Sequence, residues 1–576
     1  MSLRFASSTA VLATIVTVVS AQQPAPGMPP PPTPGMPQRT PPRAVRPGED
    51  PLKGTAILRG YVVAADTGSP LRRALVRAFS ADGRGTGMAL TDAQGRFEIK
   101  ELIAGRYNMN VTKAGYVNMS YGQRRPEQQG TMLDILDGQL VEKIAFSLPR
   151  GGVLTGSIVD EFGEPVAGAQ VSANRFRYVN GARRLIPSGS GSSDDRGIYR
   201  IYGLAPGEYY VSAGVRAPQA MGGPTGGIGS VPSEGYAATF FPGTPNASEA
   251  TRLTVRAAQE TANVSFGLIS TRLARISGRA VNSAGAPIVQ AFVNLVPADR
   301  TSMGISMFNG GATRPDGTFQ LLGVAAGSYV LTLSPRGMPS LDQEVASMRV
   351  TVGQDDIDNL TVVTSRGATA YGVITTDENV PPSVRPQQVN ISSRTMEPEL
   401  MTSPGMSKVN DDWTFEMNGL FDTRYLTVFI GEAPDWTLKG IFHNGIDITD
   451  TPIEFVPGRT VEGLQVVFTR KRTEISGVIT GERNAPDTDA TVIAFSQDPS
   501  RWGFATRYVR TARPSQDGRY SLRGLPPHDY LVVAVKDIEV GQWQDPEFLE
   551  SIRAQGVRVS LDEGATSVQD LKAIRP

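Results

Sequence analysis

Few residues in this 576-residue chain could carry out chemistry, since it has no cysteine and two histidines, His443 and His528. Without cysteine there is no thiolate nucleophile. A zinc peptidase site combines a His-x-x-Glu pair with a distant histidine, but Ile446 and Leu531 stand three residues after the two histidines. No G-x-S-x-G motif is present to position a serine nucleophile. The sequence therefore predicts no catalytic residue, no metal and no cofactor.

Both histidines are better explained as parts of turns. His528 lies just before Tyr530, in a segment that reads as a bend between two strands. His443 precedes Asn444-Gly445, a dipeptide typical of hairpin turns. A solvated turn position is the favoured interpretation of His528, and a hairpin position that of His443. Either could act as a general base only with partners that the sequence does not reveal.

Clusters of acidic residues and of glycines offer two further candidates. The pairs Asp194-Asp195 and Asp411-Asp412 could contribute to calcium binding, but the regular ligand spacing of a calcium loop is missing. Turn-forming carboxylates are the favoured interpretation. The segment GGPTGG (222–227) lacks the lysine and the strand–helix context of a phosphate-binding loop. It is more typical of a flexible insertion.

The remaining candidates are aromatic. Exposed tryptophan rings stack on the apolar faces of sugars and recur in protein-binding hot spots. Trp502 and Trp543 lie in polar segments, and they are the pair expected to be exposed and the candidate ligand-binding residues. Loop covering or interdomain packing is the favoured interpretation of both. Trp413 and Trp436 are predicted to be structural.

The elements that position these residues recur along the chain, because one pattern with a turn, two aromatic positions and a bend occurs five times. The first aromatic and the closing tyrosine are ten residues apart in each copy. The copies are DAQGRFEIKELIAGRY (92–107), DDRGIYRIYGLAPGEY (194–209), RPDGTFQLLGVAAGSY (314–329), NDDWTFEMNGLFDTRY (410–425) and SQDGRYSLRGLPPHDY (515–530).

Each copy reads as two paired strands. Phe97 and Ile99 alternate with polar residues, as in a half-buried strand. Upstream of each pair lies a strand of the type LRGYVV (58–63) or ISGRAV (276–281), and downstream a strand such as VEKIAFSLP (141–149). About six or seven short strands per unit, without sustained helical periodicity, predict a tandem array of β-sandwiches.

The modules combine three motifs, namely G-x-V, G-x-P-x-x-x-A-x-V and T-D-x-x-G-x-F-x-(I/L)-x-x-L-x-x-G-x-Y. This combination resembles the carboxypeptidase regulatory-like domain. That domain is a transthyretin-like sandwich similar to collagen-adhesin B-type repeats and to starch-binding-like folds. The resemblance covers essentially residues 55–576. The fourth copy is degenerate, with Trp413 at the turn glycine and Thr423 where the others have Gly105, Gly207 and Gly327. Residues 236–251 and 435–455 resemble extensions of multi-module secreted bacterial members. The resemblance implies accessory, adhesive or carbohydrate-binding-like roles, and it does not imply peptidase activity.

The domain boundaries follow from these repeats and from the N-terminal composition. Arg4, an apolar stretch over 11–19 and small residues before Gln22 are typical of a signal peptide, for which an uncleaved anchor is the alternative. The predicted units are a signal peptide (1–21), a Pro-rich disordered linker (22–51) and β-sandwiches at 52–150, 151–272, 273–367, 368–472 and 473–576.

The function expected from this organisation is that of a secreted, non-catalytic binding or scaffold protein. Its formal net charge is zero, which favours neither nucleic acid nor an anionic membrane as partner, and no membrane span is expected apart from the signal segment. The expected partner is a polysaccharide or a cell-envelope protein, met in the periplasm, at the cell surface or after secretion. The alternative function is that of an accessory subunit of a separately encoded hydrolase or outer-membrane transporter. We expect the modules to form a rod or a bent string.

Overall fold

A computed structural model describes most of the repeat region, namely residues 54–81, 85–215, 234–298, 309–336, 344–378, 382, 384–395, 405–430, 436–481, 485–503, 506–515 and 517–575. The predicted signal peptide and Pro-rich linker lie outside the described residues, and so does the GGPTGG segment. Among the residues that are described, no helix is long and apolar enough to cross a membrane.

Strands dominate the described chain, which confirms the predicted all-β tandem array. Module 1 contains β1 (Ala56–Ala64), β2 (Leu75–Ser80), β3 (Thr86–Leu90), β4 (Arg96–Leu102), β5 (Gly105–Thr112), β6 (Met119–Ser120), β7 (Leu133–Ile135) and β8 (Leu140–Leu148). Module 2 contains β9 (Gly152–Val159), β10 (Gln170–Val179), β11 (Ala182–Ser192), β12 (Ile198–Leu204), β13 (Gly207–Gly214), β14 (Glu234–Tyr236), β15 (Thr239–Phe240), β16 (Leu253–Val255), β17 (Glu260–Thr261), β18 (Phe266–Gly267) and β19 (Ser270–Arg272).

The later modules repeat this set of strands. Module 3 contains β20 (Ala274–Val281), β21 (Ala291–Pro297), β22 (Asn309–Ala312), β23 (Thr318–Val324), β24 (Gly327–Pro335), β25 (Ala346–Val352) and β26 (Ile357–Val363). Module 4 contains β27 (Ala368–Thr376), β28 (Val389–Thr395), β29 (Met406–Val409), β30 (Thr414–Leu420), β31 (Asp422–Ile430), β32 (Thr437–His443), β33 (Ile446–Asp447), β34 (Ile453–Phe455) and β35 (Thr460–Thr469).

Module 5 adds helical segments to its strands. It contains β36 (Glu474–Thr480), β37 (Thr491–Ser496), β38 (Val509–Ala512), β39 (Arg519–Arg523), β40 (His528–Val535), β41 (Val557–Leu561), β42 (Thr566–Val568), β43 (Leu571–Ile574) and the helix α1 (Pro546–Ile552). Short 3-10 turns lie at Ala247–Glu249, Pro386–Gln388, Pro499–Arg501, Gln542–Gln544 and Arg553–Gln555.

The two main sheets of each of the first three modules share one connectivity, and module 2 has in addition the two-stranded sheet β14-β19. In module 1, β1 is the central strand of the order β4-β1-β8, antiparallel to β4 and parallel to β8. The second sheet has the order β3-β2-β5-β6, and β7 also pairs with β5. Modules 2 and 3 repeat this as β12-β9-β17 with β11-β10-β13-β15, and as β23-β20-β26 with β22-β21-β24-β25.

Modules 4 and 5 depart from this plan in opposite ways. In module 4 the third strand, β29, pairs with β30 and enlarges the first sheet to β29-β30-β27-β35-β32-β33, while the second sheet keeps only β28-β31-β34. In module 5 the last strand, β43, pairs with both β36 and β40. The two sheets of module 5 are therefore continuous through β43.

Every module has an apolar core of its own, formed by the alternate residues of its strands. The five cores draw their buried residues from 56–148, 154–268, 274–362, 368–468 and 475–571. Module 5 has a second cluster, in which Phe495 of β37 packs with Trp502 and with Leu549 of α1. Burial of large aliphatic and aromatic side chains of this kind is what stabilises a cysteine-free module.

A glycine in the first strand of each module is required by close packing. A Cβ added to Gly278 of β20 would lie 2.1 Å from the carbonyl oxygen of Leu360 and 2.8 Å from the ring of Phe319. The parallel pairing of β20 with β26 shifts register beside this glycine. The equivalent contacts recur at Gly60, Gly156, Gly372 and Gly477, each with a partner-strand carbonyl oxygen within 2.4 Å of the added Cβ. The repeated glycine of the first strand therefore allows a close approach of the neighbouring backbone.

The closing tyrosine of four modules forms a tyrosine corner. In each of these modules the hydroxyl donates to the carbonyl oxygen four residues earlier, at 2.7 to 3.0 Å. The four tyrosines are Tyr107, Tyr209, Tyr329 and Tyr530. Because the ring lies in the core and the hydroxyl reaches backbone, the corner ties the bend to its strand.

In module 4 the assignment of the closing tyrosine to Tyr425 is wrong by one residue. The cross-strand partners of Asp422, Thr423 and Arg424 correspond to those of Gly105, Arg106 and Tyr107. The core position thus belongs to Arg424, which is buried and donates to the Phe421 carbonyl oxygen (2.6 Å) and to Ser393 Oγ (2.9 Å). The bend of module 4 is one residue shorter than in the other copies, so that the ten-residue spacing does not mark equivalent positions there.

Candidate binding surfaces and intermodule contacts

Trp502 is part of the packed interior of module 5, and the expectation that it is exposed is wrong. It follows the 3-10 turn Pro499–Arg501 and is 8% exposed. Its Nε1 donates to the Ser496 carbonyl oxygen (2.7 Å), and its ring meets Phe495 edge-on at 5.5 Å. The guanidinium of Arg553 lies 5.8 Å from the ring centroid. These contacts occupy the face that a ligand would need.

Trp543 lies where three modules meet. It is half-buried in the 3-10 turn Gln542–Gln544 and packs against the second apolar cluster of module 5. Together with Arg125 of module 1 it lines a small space between modules 1 and 5. The preceding Gly541 is covered by module 2, since an added Cβ would lie 2.7 Å from the Tyr178 carbonyl oxygen. Interdomain packing therefore describes its position, and ligand binding by Trp543 stays a prediction.

His528 is half-buried rather than solvated, because it is the first residue of β40 and not part of a free turn. Its Nε2 is 2.8 Å from Ser496 Oγ, and its ring packs edge-on against Tyr508 and Tyr530. Burial, and next the positive charge of Arg501, lower the pKa of His528. Ser496 is fully buried and its Oγ also accepts from the Asp498 amide (3.0 Å). The His528–Ser496 contact therefore joins the end of β37 to the start of β40.

The hairpin prediction for His443 is confirmed. His443 ends β32 and pairs with Ile446 across the turn residues Asn444 and Gly445, which have φ values of 50° and 82°. Such values at both turn positions are typical of a type I′ turn. The imidazole Nε2 is 3.3 Å from Asn444 Nδ2.

The acidic pairs make turn contacts. Asp194 Oδ1 accepts the amides of Ile198 (2.8 Å) and Arg196 (3.0 Å), and the bond from Ile198 is the main cause that lowers the pKa of Asp194. Asp412 Oδ1 accepts from the hydroxyl and the amide of Thr414, which lowers the pKa of Asp412. In the described ranges no group of three or more acidic, histidine or cysteine residues could hold a metal ion. These contacts are those of turn-forming carboxylates.

An open groove on the surface of module 1 was missed by the sequence reasoning. It has a volume of about 670 Å³ and lies over the outer face of β4-β1-β8, beside the end of β3. Tyr61 and Leu90 supply exposed apolar surface, at 44% and 63% exposure. Polar side chains surround them, namely Arg59, Asp92, Gln94, Arg96, Glu98, Glu142 and Lys143. The sequence signal was a tyrosine next to charged residues on the outward face of β1.

Modules 4 and 5 are joined by a contact that we call the buried lock, formed by Arg507 with Asp450 and Lys439. The Arg507 guanidinium donates to Asp450 Oδ2 (Nη2, 2.9 Å; Nε, 3.0 Å) and to the Lys439 carbonyl oxygen (2.8 Å). Both charged side chains are largely buried, at 12% and 18% exposure. Lys439 and Lys471 also pair with Glu563 of module 5, at 2.8 and 3.2 Å. The extension at 435–455 thus supplies the contact surface for module 5.

Modules 1 and 5 also touch, through a contact that we call the closing junction, formed by Arg124, Arg125 and Gln128 with Asp489 and Asp537. Arg124 donates to Asp489 Oδ2 (3.1 Å), Gln128 donates to the Asp489 carbonyl oxygen (3.2 Å), and Arg125 pairs with Asp537.

The β10–β11 hairpin of module 2 reaches the same place. Arg175 (2.8 Å) and Arg177 pair with Glu127 of module 1, and the Tyr178 hydroxyl bonds Asp545 of module 5. Burial, and next the charge of Asp545, raise the pKa of Tyr178. Module 5 therefore contacts modules 1, 2 and 4. The chain is a string that closes on itself, so that of the two expected arrangements, a rod or a bent string, the structure has the bent string.

Comparison with known proteins agrees with this description of the modules. Residues 57–135 match the carboxypeptidase regulatory-like domain, which confirms the resemblance carried by the repeated motifs. No curated protein sequence matches the chain.

Solved structures give further, weaker matches. The TIE protein of Bacillus anthracis is 12% identical over 68% of this chain and 66% of its own, with a TM-score of 0.15. A streptococcal ancillary pilin is 10% identical over 54% and 98%, with a TM-score of 0.18. The minor pilin GBS52 of Streptococcus agalactiae is 15% identical over 37% and 95%, with a TM-score of 0.20. TM-scores this low do not establish a shared arrangement of modules.

Proposed function

We propose that this chain, whose first module is a carboxypeptidase regulatory-like domain, is a non-catalytic, extracytoplasmic binding scaffold. The observation that carries the proposal is that modules 1, 2, 4 and 5, each with its own core, are tied together by side-chain contacts, of which Arg507–Asp450 and Arg124–Asp489 are examples. The largely buried Arg507–Asp450 pair holds the outer faces of modules 4 and 5 at fixed relative positions, which is what a scaffold does. The groove on module 1 is the outer face best suited to a ligand.

The ligand class that the groove favours is a polysaccharide. The exposed ring of Tyr61 offers an apolar face for a sugar, and Asp92, Gln94 and Glu142 offer acceptors and donors for its hydroxyls. Positive and negative groups are mixed around the groove, so that neither a strongly acidic nor a strongly basic ligand is favoured. Trp543 is a second candidate contact, and its use requires a change at the closing junction.

A second candidate function is that of an accessory subunit for a separately encoded hydrolase or outer-membrane transporter. The observation that favours it is the edge strand β3, which pairs with β2 alone and carries Met88 (70% exposed) beside Leu90. An uncharged edge with exposed apolar side chains suits pairing with a strand of another protein. Co-purification of one defined envelope protein, lost on Met88→Lys, would favour this function over the polysaccharide one.

The test of the proposed function is a glycan-array and envelope pull-down screen with the purified full chain. We expect binding to a polysaccharide that drops at least tenfold in Tyr61→Ala, because stacking supplies about 1 kcal/mol or more beyond simple area burial. Tyr371→Ala is the matched control, since Tyr371 is equally exposed on the first strand of module 4, at 43%. Equal loss in both variants, or no binding by the wild type to either class of ligand, would contradict the proposal.

A further inference from the structure

The two contacts that module 5 makes with modules 4 and 1 differ in burial. In the buried lock, Arg507 and Asp450 are 12% and 18% exposed. In the closing junction, Arg124 and Asp489 are 65% and 40% exposed, and Arg125 and Asp537 are 46% and 49% exposed. Ion pairs exposed to this degree contribute little to stability and are screened by salt, whereas buried pairs are screened much less.

The closing junction also contains little apolar surface. The space between modules 1 and 5 is lined mainly by polar and charged side chains, with Ile538, Val540 and Trp543 as the apolar exceptions. Three buried polar atoms at this place, Gln129 Oε1, Asp489 Oδ1 and Arg513 Nε, have no hydrogen-bond partner among the described residues. Burying them opposes closure. Among the described residues, no apolar cluster comparable to the cores of the modules lies between modules 1 and 5.

The β10–β11 hairpin makes a partly buried ion pair with module 1 and a single hydroxyl hydrogen bond with module 5. Arg175 and Glu127 of module 1 are 15% and 28% exposed, whereas Tyr178 reaches Asp545 of module 5 through its hydroxyl. The tip of the hairpin, Asn180 and Gly181, is a tight turn that projects beyond the two sheets of module 2. Its contacts with modules 1 and 5 are therefore also made by polar groups.

From this contrast we infer that the closing junction is a reversible contact controlled by ionic strength, and that its opening uncovers Trp543. At low salt the paired charges of modules 1, 2 and 5 hold the chain closed. Near 1 M salt, where the screening length falls to about 3 Å, these pairs lose most of their attraction. The buried lock keeps module 5 on module 4, so that modules 4 and 5 move together away from modules 1 and 2. This inference is independent of which ligand the scaffold binds.

Small-angle X-ray scattering of the full chain at 50 mM and 1 M NaCl tests the inference. We expect a larger radius of gyration and a longer maximum dimension at 1 M. Acrylamide quenching of tryptophan fluorescence gives the second readout. The contribution of Trp543 is the difference in quenching between the wild type and Trp543→Phe. This difference should rise at least twofold at 1 M NaCl, because the indole is then open to solvent on the side of module 1.

Charge variants separate opening from general salt effects. Arg124→Glu combined with Arg125→Glu should give the open dimensions already at 50 mM. Arg59→Glu combined with Arg106→Glu, which changes the same charge on exposed faces of module 1 away from the junction, should leave the chain closed. Circular dichroism of both variants checks that the modules stay folded. Dimensions that do not change between the two salt concentrations, whether compact or extended, would overturn the inference.

Discussion

At the scale of single residues, the most informative position is Arg424, because it replaces a tyrosine in the core of a repeated module. Four modules close their bend with a tyrosine hydroxyl on a backbone carbonyl, and module 4 does so with a guanidinium on Phe421 and Ser393. Burial lowers the pKa of Arg424, yet arginine stays charged over the working range of pH. A buried charge of this kind is tolerated only while its hydrogen bonds are made.

Replacing Arg424 with leucine should therefore destabilise module 4. The change leaves the Phe421 carbonyl and the Ser393 hydroxyl without this donor, and we expect a loss of about 2–4 kcal/mol in the free energy of unfolding. Urea unfolding followed by tryptophan fluorescence reports on this module, since Trp413 packs in its core. Tyr425→Phe is the control and should cost less than about 1 kcal/mol. If Tyr425→Phe were the more damaging change, the β31 register that places Arg424 in the core would be wrong.

His528 gives a prediction for pH. Its pKa is lowered in the folded protein, so the unfolded chain binds a proton more readily than the folded one. The contribution of His528 to stability is complete above the pKa of the unfolded chain, about 6.5 for an ordinary histidine. It is lost as the pH falls through this pKa towards the lower pKa of the folded protein. The melting temperature should thus fall less between pH 7.5 and 5.0 in His528→Gln than in the wild type. An equal fall in both proteins would show that His528 does not contribute.

At this scale the sequence identified candidate residues but not whether their side chains are buried. Trp502 was predicted to be exposed from the polarity of its neighbours, yet the segment from Ser496 to Trp502 folds back on β37 and buries the indole beside Phe495. His528 was placed in a free turn because its counterparts are glycines, and the structure makes it the first residue of a strand. In both cases tertiary contacts determine how far the side chain is buried. The polarity of the neighbouring residues in the sequence does not indicate these contacts.

At the scale of elements, the repeated glycine of the first strand is the clearest link between sequence and fold. Gly278→Ala would bring a methyl group within 2.1 Å of the Leu360 carbonyl oxygen, so that β26 or the ring of Phe319 must move. We expect a loss of about 2–4 kcal/mol in the stability of module 3, in the range of strongly strained core substitutions.

Gly353→Ala in the same module is the matched control, because no atom lies within 4 Å of the added Cβ and its φ is not positive. Its effect should stay within about 0.5 kcal/mol. Thermal unfolding by calorimetry distinguishes the two variants. Equal melting behaviour would show that the close approach of β20 to β26 is not a constraint on the fold.

Strand positions and the all-β class could be predicted because alternation and turn residues are local signals. Phe97 and Ile99 are buried in β4 as their alternation indicated, and the Asp–Gly turns precede the strands as expected. The transfer of β29 to the first sheet of module 4 and the bridging of both sheets by β43 were not predicted. Each depends on which of two neighbouring edges a short strand pairs with, and that choice is made by tertiary packing.

At the scale of the whole molecule, the closed arrangement is the feature that sequence reasoning could not reach. Arg124 and Asp489 are 365 residues apart, and each reads as an ordinary solvated charge. Arg507 and Asp450 are equally unremarkable in sequence, although they form a largely buried pair. Contacts between modules of one fold are specified by a few side chains, and no periodic pattern marks them.

The buried lock should couple the unfolding of modules 4 and 5. Removing one partner of a buried ion pair costs about 3–5 kcal/mol, because the other charge is left unpaired. We expect Arg507→Met to separate the calorimetric unfolding of modules 4 and 5 into transitions further apart than in the wild type. Arg519→Met, a change of the same type in an exposed ion pair within module 5, is the control. Unchanged transitions in Arg507→Met would mean that the two modules are not coupled through this pair.

The measurement that tests the central claim most directly is the distance between modules 1 and 5 in the full chain. Since the chain has no cysteine, Asp134→Cys and Glu550→Cys place two spin labels without background, on exposed sites of module 1 and of α1. In low salt we expect a single narrow distribution of the distance between the two labels. Its width should match that of the reference pair Lys100→Cys and Asp134→Cys within module 1. A broad distribution extending to the reach of an open string would contradict a closed scaffold.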